Sequence, residues 1–316
     1  MKRLELEALL ADRESVRSML ERFTDRDPIG RISFSARLAA IEAQIATLQG
    51  QHETAGSVAL MFSGTPVFGS RSIETNFAAT VLKSFQDLVS KRISSEEFGQ
   101  LGARGRIPER TASALSIRDL VRGSVGFVLE ETSSNTTLID TPIKKAIDDV
   151  TVVITQAAAE SDEEFETSVE TLDPRMLVSL RDFFRALDDG GAAIRIVEDE
   201  RDARLDAQAI RRARTRVDST EFSDAESDTV IGELLGLLPD SRRFELRLLG
   251  TSEVIRGTVA AALATKWLEL IEMPDEKLVG QVWRTKMKIR EVRERSRPPR
   301  KLYSLLGLIE RRASDA

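Results

Sequence analysis

The sequence predicts an α+β protein in three parts: an N-terminal helical hairpin over residues 1–52, an α+β domain over 56–220, and a small OB-like β-barrel over 228–312. Three observations carry this. Two apolar stripes at helical spacing open the chain. Capped helices then alternate with short β-rich runs without a strict βαβ repeat. The last third runs three strands, a helix and two strands, the element order of a five-stranded OB barrel.

The hairpin comes first. Leu6, Leu9, Leu10, Val16, Met19, Leu20 and Phe23 recur mostly at spacings of three and four, which predicts a helix over 3–23. Asp25, Asp27, Pro28 and Gly30 are read as a break. A second helix is expected over 35–48, with Leu38, Ile41, Ile45 and Leu48 as its stripe and Gly50 as its stop. A single partner helix cannot cover either stripe completely, so the hairpin is expected to dock on the body of the protein or on a second subunit.

In the middle part, Val58 to Phe62 reads as a buried strand, and Val67-Phe68 as a short return strand. A helix over 73–91 follows, with Ser72 as its N-cap and Phe77, Val81, Phe85, Leu88 and Val89 as its apolar face. If the loop Gly69, Ser70, Arg71, Ser72 opens that helix, free backbone N–H groups and Arg71 form a possible anion site. It lacks the spacing and the Lys-Ser/Thr ending of a P-loop. Ser94 to Glu97 reads as a capping box for a short helix, followed by a Gly/Arg loop over 99–110. Residues 114–130 alternate as a hairpin, ending in Glu130-Glu131, whose side chains point to opposite faces.

Thr141-Pro142, Ser161 and Asp173-Pro174 are three helix starts of the cap or cap-then-Pro kind. The first predicts a helix to about Ala158, with the β-rich Thr151 to Ile154 as a competing strand. The third predicts a helix over 175–187, stopped by Gly190-Gly191, with a strand over 193–197 beyond it. An Arg-rich helix over 199–217 reads as a surface connector, and the acidic run 221–228 as the domain boundary.

Composition narrows the chemistry. The chain has 316 residues, a net charge of −6, no cysteine and one histidine, His52, in a polar stretch. A net negative charge gives no global attraction to nucleic acid or anionic membrane, so such binding needs a local patch. Without cysteine there are no disulfides, thiolate nucleophiles or Cys-ligated zinc, and His-based catalysis or metal clusters have one candidate only. No metal and no cofactor are expected. No run reaches the roughly 18 apolar residues of a membrane span, and the start of the chain has no apolar leader core, so the expected location is cytoplasmic with no membrane partner.

The local patch lies in the barrel. Between Arg284 and Lys301 nine cations face two carboxylates, a local charge of +7. Arg284, Lys286, Lys288 and Arg290 fall at period two on one face of a strand. Arg293, Arg295 and Arg297 are expected in a loop joining the last two strands, where OB folds often touch ligand. Nucleic acid or an acidic protein partner are the candidate ligands. A solvated strand face, with Lys and Arg protecting an edge, explains the same residues. Exposed aromatics for base stacking are scarce.

Three segments, Arg31 to Leu38, Gly64 to Ser70 and Arg122 to Glu131, give the chain a resemblance to a group of uncharacterised bacterial proteins. The resemblance implies an order of pieces and no activity. The reading that follows is a non-enzymatic bacterial interaction or regulatory protein acting through protein partners or self-association. The alternative is nucleic-acid binding by the barrel, in phage (antiviral) defence or DNA maintenance. A third reading, an enzyme, requires Arg71, Glu130 and Glu131 to converge in a pocket.

Overall fold

A computed structural model describes residues 1–22, 28–51, 53–98, 113–121, 125–132, 139–199, 201–223, 226–238, 242–260, 263–264, 267, 278–294 and 297–312. The fold is α+β, with an N-terminal helical pair and a C-terminal closed five-stranded barrel. The expected 99–110 loop and His52 lie outside the described residues, as does most of the helix expected between the third and fourth barrel strands.

The helical pair is α1 (Lys2–Arg22) and α2 (Pro28–Gly50). The second helix begins seven residues earlier than the expected Ser35. Pro28 stands at its first position, where a missing N–H is harmless, and Gly30 is carried inside it. Val16, Ile41 and Ile45 form the buried seam between the two helices, with Leu6, Leu9, Leu10, Leu20, Phe34 and Leu38 packed along it. Arg17–Glu42 and Arg37–Asp12 pairs, each at 2.9 Å, flank the seam.

The central sheet is antiparallel throughout, in the order β4 (Leu115–Leu120), β5 (Val125–Glu131), β1 (Ser57–Gly64), β6 (Ala192–Val197), β7 (Asp202–Leu205). Strand alternation divides β1 between two environments. Val58, Leu60 and Phe62 enter the main core with α3 (Thr75–Phe98), α4 (Pro142–Ala158), α6 (Pro174–Asp189) and α7 (Ala207–Ser219). Ala59 and Met61 face the other way and meet Met1 and Leu4 of the first helical turns. The hairpin therefore docks in cis through the start of α1. Arg195 fastens it, donating to Glu7 at 2.8 Å while also holding Asp202.

The three helix starts stand as read. Thr141, Ser161 and Asp173 accept from Lys144, Glu163 and Arg175 backbone N–H groups at the heads of α4, α5 (Asp162–Thr171) and α6. Residues 151–154 are helical. Ile154 and Val150 complete an inward stripe at spacing four, and helical continuity buries both, so the β-branched content is overridden.

Four expectations are corrected. Ser72 is in a two-residue strand β3 (Ser72–Ile73), paired with β2 (Val67–Phe68), and α3 starts only at Thr75. Ser94 to Glu97 starts no new helix, because α3 runs through to Phe98 and Ser94 is buried on it. The segment 199–217 contains the strand β7 before its helix. Finally, α7 is no surface connector: Ile210, Ala213 and Val217 are fully buried in the main core. A thin apolar stripe of small residues suffices there because its neighbours approach closely.

The barrel comprises β9 (Glu226–Leu238), β10 (Arg243–Leu248), β11 (Val254–Val259), β12 (Val282–Glu294) and β13 (Arg297–Arg312). Antiparallel ladders join β9–β10, β10–β11, β9–β12 and β12–β13, and a parallel β11–β13 ladder closes the ring. This is the OB pairing order. Leu234, Phe244, Leu246, Ile255, Trp267, Met287 and Leu305 fill the interior. The far ends of β12 and β13 run onto the body. There Val292 and Leu302 join the main core, Phe222 of β8 (Glu221–Phe222) pairs with Val292, and Arg243 holds Glu170 at 2.5 Å.

Candidate interaction surfaces

The basic stripe of β12 keeps one face and changes environment along it. Arg284 and Lys286 are exposed, alternating with buried Thr285 and Met287. Lys288 is half-buried, and Arg290 is only 4% exposed. The strand is thirteen residues long, so its last third leaves the barrel wall and lies against α7 and β8. There the Arg290 guanidinium sits 5.0 Å from the Phe222 ring centre and donates to the Leu172 carbonyl at 3.4 Å. Burial lowers the pKa of both Lys288 and Arg290, with Arg290 adding to the shift on Lys288 and Asp173 opposing it. Arg290 thus belongs to the seam between barrel and body.

Much of the expected loop over 293–301 is instead strand: β12 runs to Glu294, β13 starts at Arg297, and those two residues are paired. Arg293 is exposed and pairs with Glu291 at 2.8 Å. Arg295 and the Arg297 side chain lie outside the described residues. Arg300 is half-buried and donates to the Glu166 carbonyl at 3.3 Å, while Lys301 is exposed. Of the basic set, Arg284, Lys286 and Lys301 remain on the surface without an ion pair among the described residues.

Other charges on the outer wall of the barrel include the exposed Asp228, Glu253 and Glu310, the last opposite Arg284 in the β12–β13 register. Glu233–Arg247 and Glu245–Arg256 pair across neighbouring strands at 2.8 and 2.7 Å. Phe244 and Trp267 are buried, Tyr303 packs against the barrel core, and Trp283 does likewise while donating its indole N–H to the Leu278 carbonyl at 2.9 Å. Among the described barrel residues, no aromatic ring forms a stacking platform.

The residues of the enzyme reading separate. Gly69, Ser70 and Arg71 form the exposed turn between β2 and β3 beyond the Gly64 end of β1. Glu130 is paired with Ser57 at the opposite end, roughly 24 Å along an eight-residue strand. Glu130 holds Arg118 at 2.5 Å, and Glu131, on the other face, accepts from the Thr141 hydroxyl at 2.7 Å. Glu130 is thus ion-paired, while Glu131 is engaged through one oxygen and its other oxygen is buried without a hydrogen-bond partner.

A polar crevice of about 520 Å³ lies where α1 meets the body, lined by Lys2, Glu7, Glu53, Lys144, Asp199 and Asp202 among others. Lys144 is its hub. Its ammonium lies 3.3 Å from both Asp140 and Asp199 and donates to the Glu53 carbonyl. Burial alone pulls the Lys144 pKa down, but Asp199 and Asp140 outweigh it and the net shift is upward. Burial, with Asp199 adding, raises the Glu53 carboxyl. Behind the hub, Asp148 is pushed up to about 8 by burial and by its hydrogen bond with Glu198, itself 2% exposed and paired with Arg201 at 3.0 Å. Neither Asp148 nor Glu198 lines the crevice. Among the described residues, no group of three or more His, Asp or Glu is placed to hold a metal. The Lys144–Asp148 cluster escapes sequence reading because α4 looks like a plain apolar stripe. The signal was there: Lys144, Asp148 and Thr151 recur at spacings of four and three beside it.

A second feature missed by sequence reading is on α2. Opposite its buried seam runs another stripe, Ile29, Ile32, Ala36, Ala39, Ala43 and Ala46, at spacings of three and four. At about 100° per residue, it lies on the far side of the helix from Phe34, Leu38, Ile41 and Ile45. All six residues are exposed, Ile29 by 80% and Ile32 by 70%. Ser33, Ser35, Ala40 and Thr47 border the stripe, so the face is broad and nearly uncharged. A helix apolar on both sides normally has both sides covered. Among the described residues, no helix is long and apolar enough to cross a membrane. No family model, curated protein or solved structure matches this chain.

Proposed function

We propose that this chain is a non-enzymatic interaction or regulatory protein that acts through protein partners, self-association included, with the helical hairpin as its docking arm. The observation that carries the reading is the bare apolar face of α2, headed by Ile29 and Ile32, on an arm whose other helix is already fastened to the body. Contact with an apolar protein surface removes that face from water; solvent alone leaves about 1.5–3 kcal/mol per isoleucine unrealised. Two carboxylates, Glu53 and Glu130, each lie 3.9 Å from the Met1 amino group at the head of the hairpin, and Glu130 also holds Arg118. The test is affinity capture from extracts of the natural host, comparing the tagged full chain with an Ile29→Glu/Ile32→Glu variant. Specific partners, or untagged copies of the chain, are expected on the parent and not on the variant. A parent that elutes as a partner-free monomer refutes the proposal.

A second reading rests on Arg284, Lys286 and Lys301 standing exposed on a closed barrel of OB pairing order. It makes the barrel a weak nucleic-acid binder through phosphate contacts. Anisotropy of a labelled oligonucleotide at about 50 mM salt tests it, since binding of this kind falls steeply as salt rises. Arg284→Glu/Lys286→Glu is the informative variant. Arg290 is unsuitable, because its substitution disturbs the seam. No binding by the parent removes this reading.

A further inference from the structure

We infer that the occupant of the bare α2 face is a second copy of this chain, docked α2 against α2 in antiparallel fashion. This rests on the docking-arm reading above and names its partner. The stripe is self-complementary in one direction only. Its midpoint falls between Arg37 and Leu38. Reading the second copy backwards about that point sets Ile29 opposite Ala46 of the second copy, Ile32 opposite its Ala43, and Ala36 opposite its Ala39. Each bulky residue meets a small one, so the two helices keep an even separation along roughly 26 Å of contact. Parallel packing sets isoleucine on isoleucine at one end and alanine on alanine along the rest, which splays the helices.

Charge agrees with the same direction. Arg31 and Glu42 lie on one flank of the stripe. In the antiparallel pair that flank meets its own copy, and Arg31 comes within about 3 Å, along the axis, of the level of Glu42 in the second copy. The two-fold axis repeats the contact, so it occurs twice. Glu42 already takes Arg17 through one carboxylate oxygen at 2.9 Å, and its side chain is half-exposed, leaving the other oxygen accessible. The remaining border is Ser33, Ser35, Ala40 and Thr47, so no like charges oppose each other beside the seam. A net charge of −6 on each copy disfavours association at long range, which makes a neutral, apolar contact strip the place where self-association can occur. The assembly is a four-helix bundle, with the α1–α2 hairpin of each copy contributing two helices.

The experiment uses the full chain. Light scattering should return about twice the 35.1 kDa chain mass for the parent. Ile29→Glu/Ile32→Glu should weaken self-association by at least about a hundredfold, because two exposed isoleucines lose their burial. Both sites are exposed in the single chain, so the variant's circular dichroism should match the parent's, and its melting temperature should fall only by the concentration-dependent stabilisation that pairing gives the parent. Direction is read by crosslinking, for which the absence of native cysteine gives a clean background. Chains carrying Ile29→Cys mixed with chains carrying Ala46→Cys should form a disulfide-linked pair, whereas Ile29→Cys alone should not. A dimer unaffected by the glutamates, or self-crosslinking of Ile29→Cys, overturns the inference. A monomeric parent that captures a different protein through Ile29 and Ile32 overturns it while sparing the docking-arm reading. A monomeric parent that captures nothing overturns both.

Discussion

Closure of the barrel depends on one glycine, and the dependence can be measured. Gly257 of β11 faces Tyr303 of β13 in the parallel ladder and Phe244 of β10 on its other side. A Cβ built on Gly257 comes 2.1 Å from the Tyr303 carbonyl oxygen, 2.9 Å from its carbonyl carbon and 2.9 Å from the Phe244 ring. The oxygen is backbone and cannot swing away, so β11 and β13 must separate by more than 1 Å to restore ordinary contact near 3.4 Å. The ladder there is only three residue pairs long, Gly257–Tyr303 to Val259–Leu305, with a Thr258–Ser304 hydroxyl bond at 3.0 Å and the Ala260 N–H donating to the Leu305 carbonyl at 2.9 Å beside it. Overpacking costs about 1–3 kcal/mol, and each ladder hydrogen bond lost about 1 more. Gly257→Ala is therefore expected to destabilise the barrel by about 3–4 kcal/mol. Gly236 of β9 supplies the control: the nearest atom to its added Cβ is 3.8 Å away, so Gly236→Ala should be neutral or stabilise by about 0.5 kcal/mol through the unfolded chain. Both tryptophans, Trp267 and Trp283, belong to the barrel, so urea unfolding followed by their fluorescence reports on it selectively. A midpoint lowered by about 1–2 M urea is expected for Gly257→Ala. Equal midpoints for the two variants would refute the reasoning, because the seam would then not be closed by β11 against β13.

Three further outcomes follow from the charged clusters. The Asp148 carboxyl, raised to about 8 by burial and by Glu198, keeps its proton in the folded state where the unfolded chain has released it, so its contribution to stability falls as pH rises from about 4 to 8. Asp148→Asn should gain about 1–2 kcal/mol over the parent at pH 8, after allowance for partial solvent screening, and the gap should close toward pH 5; a gap that ignores pH counts against this account. Lys144→Met leaves Asp199 and Asp140 without their shared cation and should cost about 3 kcal/mol, whereas a neutral result in urea unfolding would mean that the hub contributes nothing net. Arg290→Ala should cost about 2–3 kcal/mol by opening the Phe222 and Leu172 contacts, while Arg284→Glu, at an exposed site, should stay within about 0.5 kcal/mol in the same assay.

The bare face of α2 and the buried end of β12 teach the same lesson from opposite sides. At α2, residues with a legible heptad spacing stay exposed, because no described element packs on that face. At β12, residues with a legible basic alternation divide, because a strand of thirteen residues outruns the barrel that it closes. Local pattern reports which residues share a face. It does not report what stands opposite that face at each level.

What the amino-acid order determined alone was local. Caps at Thr141, Ser161 and Asp173 started their helices because a side-chain oxygen satisfies an N–H within three residues of itself. The continuous apolar run of 58–62 likewise marked a buried strand, and the order of strands in the last third was legible, from which the barrel order followed. Only the tertiary structure decided the rest. Ser72 became a strand residue because Val67 and Phe68 were available to pair with it, and α7 was drawn into the core because α4 and α6 leave room for small residues. Arg290 was buried because Phe222, nearly seventy residues earlier, comes to lie beneath it. Such choices depend on contacts between segments distant in the chain, and the free energy of those contacts exceeds the local preferences they override.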